Sequence, residues 1–337
     1  MMAFGGRNHN LFRAAIIESG PPTTGQYPLY DTATSNASNG AYESVIAKAA
    51  CNKTSDTLGC LRSLNFSAIY AAFEVPETAP LYTFHPTIDG LFFEESPATQ
   101  LLKGKFRRIP TIQGHNDDEG SLLSLGANSS SDAYTLAYMQ GTLTLFTFLM
   151  SVEWPYLNNT DDQTILTLYP NIPSDGVPYG EFANSTFPAN GTQWRRLASI
   201  TGDIIIISGT RLFSHIASFN HSLPVYRYRA NLTYPTIPAQ FGSTHGIEIP
   251  YVFNSPVLKG TNATALTAEV MSRAWISFIV HLDPNYHGVA DIPKWKVYSS
   301  IPDGENFVIG VGNFSTEADT YRAEGINFIN SAIVGEG

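Results

Sequence analysis

Two short segments of the 337-residue chain carry residues whose types and spacing could do chemistry. The first is GHNDDEG at residues 114–120, directly after a short apolar run at 110–113 (PTIQ). A turn at the carboxyl end of a strand is where open α/β sheets place their sites. Asn-Asp-Asp is also ordinary turn chemistry, so Asp117 and Asp118 carry little weight alone. Glu119 differs in preceding Gly120, which would let the backbone swing its carboxylate inward. The second segment is FGSTHGIEIPYVFN at 241–254, where His245 stands between Thr244 and Gly246 with little bulk around its ring. The other seven histidines lack that setting, and Glu248 reads as a structural acid satisfied by backbone donors. Taken alone, the acid turn reads more plainly as ordinary turn chemistry and His245 as a core or surface histidine. Together Glu119 and His245 fit the last two members of a triad in the chain order Ser, acid, His. The carboxylate would hold the imidazole tautomer, and the imidazole would take a serine proton and return it to the leaving group. The serine is expected on a G-x-S-x-G elbow upstream of Glu119, yet no such motif occurs in these residues. Ser243 lies between glycines at the wrong spacing and too near His245 to be its partner.

The elements that would position these groups alternate along the chain. Short apolar runs at 14–17 (AAII), 110–113, 224–229 (PVYRYR) and 307–311 (FVIGV) predict strands. Helical patterns fall at 40–50, 96–103, 193–219 in one or two pieces, 267–280 and 317–332. That alternation is the pattern of an α/β sheet protein, here as a single domain spanning 1–337. The long uncharged stretch at 133–152 is interrupted by Gln140, Gly141 and four threonines, which predicts a buried or pocket-lining helix rather than a transmembrane anchor. Phe146 and Phe148 within it could line an acyl pocket, with core packing the plainer role. Residues 158–190 and 283–295, rich in Pro and Asn, read as surface excursions.

Composition narrows the classes of function. Charged residues make up 14% of the chain, against about 25% in ordinary soluble domains, while 43% is hydrophobic. A formal charge of −10 repels phosphate backbones and argues against nucleic acid as a partner. The two cysteines, Cys51 and Cys60, nine positions apart, close a small polar loop that reads as a disulfide, with two unpaired thiols as the alternative. Eleven sequons, at Asn36, Asn52, Asn65, Asn128, Asn158, Asn184, Asn190, Asn220, Asn231, Asn262 and Asn313, suit a secreted glycoprotein. The first residues, MMAFGGRNHNLFRAA, lack the apolar run of a signal peptide, so the chain is expected to lack its beginning. No residue cluster calls for a metal or a cofactor, and nothing in the sequence speaks to oligomeric state.

From its first residues to its last the chain resembles the C-terminal three-fifths or so of the type B carboxylesterase/lipase family, the cholinesterase-like α/β-hydrolases, and within it the secreted fungal lipases and esterases. The likeness rests on GGRNHNLFRAAIIESG at 5–20, PTIDG at 86–90, the acid turn 114–120, the histidine segment 241–253 and DTYRAEGINFIN at 319–330. Cys51 and Cys60 fall where that family has its second disulfide. Trp295-Lys296 departs from its usual Trp-Pro. The resemblance implies the α/β-hydrolase fold, without its N-terminal strands and nucleophile elbow, and serine-dependent hydrolysis of a small-molecule or lipid carboxylic ester. Glu119 and His245 would be its catalytic acid and base, with no cofactor. The family's G-E-S-A-G elbow and oxyanion glycines would lie before Met1, which implies a chain inactive by itself. A non-catalytic binding or adhesion module and a pseudogene product are the alternatives. In such a fold the nucleophile strand pairs with 14–17, whose bare edge would make the isolated chain poorly soluble.

Overall fold

A computed structural model describes residues 1–23, 41–73, 88–140, 157–179, 187–258 and 261–335. Five strands form one sheet in chain order: β1 (Ala15–Glu18), β2 (Thr111–Asn116), β3 (Val225–Asn231), β4 (Glu305–Gly310) and β5 (Asn313–Ala318). The first four are parallel, and β5 returns antiparallel on β4. Every residue of β2 is buried. TIQGHN is polar for a central strand, and its buried side chains are bonded within the fold: Gln113 Oε1 accepts from Ser214 Oγ at 3.1 Å and His115 Nε2 pairs with the Tyr321 hydroxyl at 2.6 Å.

β3 shows how the two faces are covered. Tyr226, Tyr228 and Ala230 join Trp275 and Trp295 in one apolar cluster beneath the helix Asn262–His281, with the rings of Tyr228 and Trp275 5.3 Å apart. Val225 points the other way, packing with Phe213 and Ile216 of the helical run 194–220. That run consists of two α segments, Trp194–Gly202 and Ser208–His215, each followed by a π turn. By length and composition it could cross a membrane, yet it is almost wholly buried as the core helix of one sheet face.

Several boundaries differ from the sequence expectation. Residues 313–318 form β5, and the closing helix begins at Ala323 rather than 317. β5 is mostly exposed, so NFSTEA carries no apolar signal. Helices Thr57–Ser63, Phe66–Phe73 and Asn159–Leu168 were not expected. The last sits inside the supposed surface excursion and is held by an Asn158–Asp161 capping box. The stretch 133–152 begins as the helix Asp132–Met139, and its remainder from 141, with Phe146 and Phe148, lies outside the described residues. Cys51 and Cys60 are bonded, with Cα atoms 5.6 Å apart. Asn52, Asn65, Asn128, Asn158, Asn220, Asn231, Asn262 and Asn313 are exposed and Asn190 is half-buried, while Asn36 and Asn184 lie outside the described residues.

Among the described residues β1 pairs only with β2, so its other edge is open. Leu11 and Phe12 before it are exposed, as are Ile276, Ile279 and Val280 on the helix Asn262–His281. Arg13 donates to the carbonyls of Ile279 and Val280, which ties the approach to β1 to that helix end.

Candidate active site

The carboxyl ends of β2 and β3 place the two sequence segments side by side. β2 ends at Asn116, the chain turns through Asp117 and Asp118, and Glu119 opens the short helix Glu119–Leu123. The side chain of Glu119 is fully buried. Its Oε2 lies 2.7 Å from His245 Nδ1, although 126 positions separate the two residues. Its Oε1 accepts the Asn116 backbone N–H at 2.7 Å and the Ser19 hydroxyl. A carboxylate held at Oε1 by two neutral donors is fixed with Oε2 facing the imidazole. The hydrogen bond to Glu119 raises the His245 pKa above its ordinary value, against the opposing effect of burial, with Glu119 and Glu248 adding charge. The His245 side chain keeps 39% of its surface, and its Nε2 has no hydrogen-bond partner among the described residues.

Gly120 acts differently from the expectation. It is helical, and a Cβ there would lie 1.8 Å from the Ala198 carbonyl oxygen. The glycine therefore serves close packing against the helix Trp194–Gly202, which seats the acid turn on the core helix, and supplies no hinge.

The histidine loop is fastened from below. Ser243 Oγ donates to Ala230 O at 2.7 Å and accepts the Leu232 N–H at 2.9 Å, which occupies the hydroxyl with structural bonds. Ser121 Oγ bonds Thr244 Oγ1 at 2.8 Å and the Phe241 carbonyl at 2.7 Å. Glu248, three residues past His245, accepts from the Asn116 side-chain amide rather than from backbone donors alone. Burial, reinforced by the charge of Glu119, raises its pKa to about 7.

Ser19 is the member of this site that the sequence did not reveal. It follows β1 at φ +53°, a left-handed conformation unusual outside glycine and held here by its hydroxyl bond to Glu119 and its N–H bond to Gly114 O at 2.9 Å. The signal was a Ser-Gly pair closing the apolar run AAIIESG. Ser19 is buried and its hydroxyl is spent on the acid, so its place is in support of Glu119 rather than on the free side of His245.

Three comparisons with known proteins bear on this geometry. The profile of the carboxylesterase family matches residues 2–329. A secreted triacylglycerol lipase of Gibberella zeae is 29% identical over 88% of this chain and 47% of its own length. Secreted lipase 1 of Botryotinia fuckeliana is 27% identical over 98% of the chain and 54% of its own length. The crystal structure of EstA from Aspergillus niger superposes with a TM-score of 0.71 at 21% identity, covering 98% of this chain and 60% of that one. The chain thus spans about half the length of the curated relatives it matches. The structural likeness gives the α/β-hydrolase fold, and the profile match across nearly the whole chain gives the kinship: this protein belongs to the carboxylesterase family.

Proposed function

We propose that these residues form the acid-and-base part of a serine hydrolase acting on carboxylic esters of small molecules or lipids. The observation that carries this reading is the bond of a fully buried Glu119 to His245 Nδ1, with Nε2 left open. Nε2 takes the proton of an attacking serine hydroxyl as its oxygen bonds the ester carbonyl carbon, and Nε2 returns that proton to the leaving alkoxide. Water then repeats the sequence on the acyl-enzyme. Glu119 stays ionised throughout, fixing the tautomer and stabilising the imidazolium. No G-x-S-x-G occurs in the 337 residues, so the reading requires the nucleophile to come from a segment outside them, and these residues alone are inactive. The open edge of β1, flanked by exposed Leu11, Phe12, Ile276 and Ile279, is where a nucleophile-bearing strand would pair. The names of the lipases it resembles, the exposed sequons and the disulfide support a secreted glycoprotein.

The missing serine favours a second reading, a non-catalytic binding module that keeps the family fold. The test is hydrolysis of a short p-nitrophenyl ester by residues 1–337, alone and joined to whatever coding sequence precedes them, beside His245→Ala. Activity that appears only in the joined form and falls about 10⁴-fold in the variant supports the hydrolase. Turnover by the isolated chain that His245→Ala abolishes would overturn its inactivity, and none in any form would favour the binding module.

A further inference from the structure

Asp118 stands one residue before the acid, and Ser243 stands two before the histidine. The two are joined twice. The Asp118 N–H donates to the Ser243 carbonyl at 3.0 Å, and the Ser243 N–H donates to Asp118 Oδ2 at 2.7 Å. Asp118 Oδ1 accepts a third N–H, from Tyr179, at 3.3 Å. Asp118 is 3% exposed, and no ion pair reaches it among the described residues. Burial raises its pKa to about 6 against those two amide donors, so at pH 7 it is mainly the carboxylate. Both ends of the clamp are anchored to the sheet. The Asp117 N–H reaches Ala230 O at 2.9 Å, and Ser243 Oγ donates to that same carbonyl. Gly242 completes the fit at φ +59°, where a Cβ would fall 2.1 Å from Asp118 Oδ2.

We propose that Asp118 is the positioning residue of the pair, its carboxylate binding the histidine loop to the acid turn through Ser243 and so setting the distance between Glu119 and His245. A paired carboxylate in so dry a place ordinarily has a cation. This one feels the charges of Arg322 and Arg195 without an ion-pair contact among the described residues, and its direct partners are backbone amides from two separate loops, whose shared role is to hold those loops in register with the turn that bears the acid. The charges that act on His245 are those of Glu119 and Glu248, and that of Asp118 is not among them. A change in the imidazole that Asp118→Ala produces and Asp118→Asn does not therefore passes through geometry.

The proposal rests on Glu119 and His245 working as acid and base, but its test needs no ester. Carbethoxylation of His245 in the intact chain, followed against pH by peptide mass spectrometry at micromolar concentration, gives the midpoint of its titration. Glu119→Gln sets the value of an imidazole without its acid. Asp118→Ala is expected to move the midpoint down by about half a unit or more, a roughly threefold gain in neutral imidazole, toward that value. Asp118→Asn keeps an oxygen acceptor of the same shape and is expected to stay near the unaltered chain. Gly242→Ala, which drives a methyl into the clamp from the other loop, is expected to move the midpoint down like Asp118→Ala and decides the matter if that variant does not fold. An unmoved midpoint in a folded Asp118→Ala or Gly242→Ala overturns the clamp. So does Asp118→Asn falling as far as Glu119→Gln, since charge and not the acceptor would then be at work. A lowered midpoint beside a complete lack of hydrolysis would leave the clamp standing and remove only the acyl-transfer reading.

Discussion

Asp319, at the amino end of β4, and Glu119, past the carboxyl end of β2, are both carboxylates taken out of water, and their partners differ in kind. Asp319 meets Arg211 at 2.7 Å, Arg227, the Tyr298 hydroxyl at 2.8 Å and the Asn306 amide at 3.2 Å. Burial alone would raise its pKa, but the two guanidiniums outweigh that and hold it well below the usual carboxylate range. Asp203 also has an arginine partner, lying between Arg322 at 2.5 Å and the Tyr169 hydroxyl at 2.7 Å. At the carboxyl ends of β2 and β3, Glu119, Asp118 and Glu248 meet amides, a hydroxyl and one histidine, with no arginine in ion-pair contact among the described residues. The two guanidiniums make Asp319 a permanent part of the frame. Neutral donors around the acid leave the histidine beside it able to change protonation, which is what general-base chemistry requires.

The sharpest way to break this contrast is on the arginine side. Asp319→Ala leaves Arg227 and Arg211 buried without their counter-charge, and a loss of about 3–5 kcal/mol is expected. Chemical denaturation of the variant should show a collapsed midpoint or no folded state. A loss below about 1 kcal/mol would mean that Asp319 is not the keystone of that face. On the other side, Glu119→Gln should cost the fold little by comparison. Its effect falls on His245, whose titration midpoint should drop by about one unit once the acceptor at Nδ1 is no longer charged. An unchanged midpoint would show that burial, and not Glu119, governs the imidazole.

The two regions also differed in how far they could be read from the chain. GHNDDEG and STHG announced themselves because a site at strand ends is built from local turns, so its residues lie in compact segments. β1 to β4 were legible from the short apolar runs at 14–17, 110–113, 224–229 and 307–311, although β2 continues past its run through the polar GHN. The arginine network left no such trace. Asp319 lies 92 residues from Arg227 and 108 from Arg211, and no spacing joins a single acid to single arginines on another strand and a helix. β5 escaped because its exposed face carries polar residues, and Ser19 because its role depends on a left-handed backbone and a partner 100 residues away. Gly120 was noticed for the wrong reason. Its neighbour on the far helix, Ala198, is invisible in sequence, whereas its freedom as a glycine is not.

The smallest and most discriminating effect concerns Glu248. Its folded pKa of about 7 lies above the roughly 4.3 of an unfolded glutamate, so between those values the folded chain binds the extra proton. Stability attributable to this group therefore falls as pH rises from about 4.3 to about 7 and is level above. Glu248→Gln removes that titration and keeps an oxygen to accept from the Asn116 amide. The variant should melt with the unaltered chain near pH 4 and a few degrees above it at pH 8, a gain on the order of 1 kcal/mol. Asp319, with a lowered pKa, works in the opposite sense, contributing stability that is lost only as pH falls below the ordinary carboxylate range. If Glu248→Gln melts with the unaltered chain at both pH values, or below it at pH 8, then Glu248 is ionised in the fold as Asp319 is. The site would then hold two neighbouring carboxylates, Glu119 and Glu248, both charged and sharing a single histidine, and the distinction between the arginine-held and amide-held acids would fail where it matters for the base.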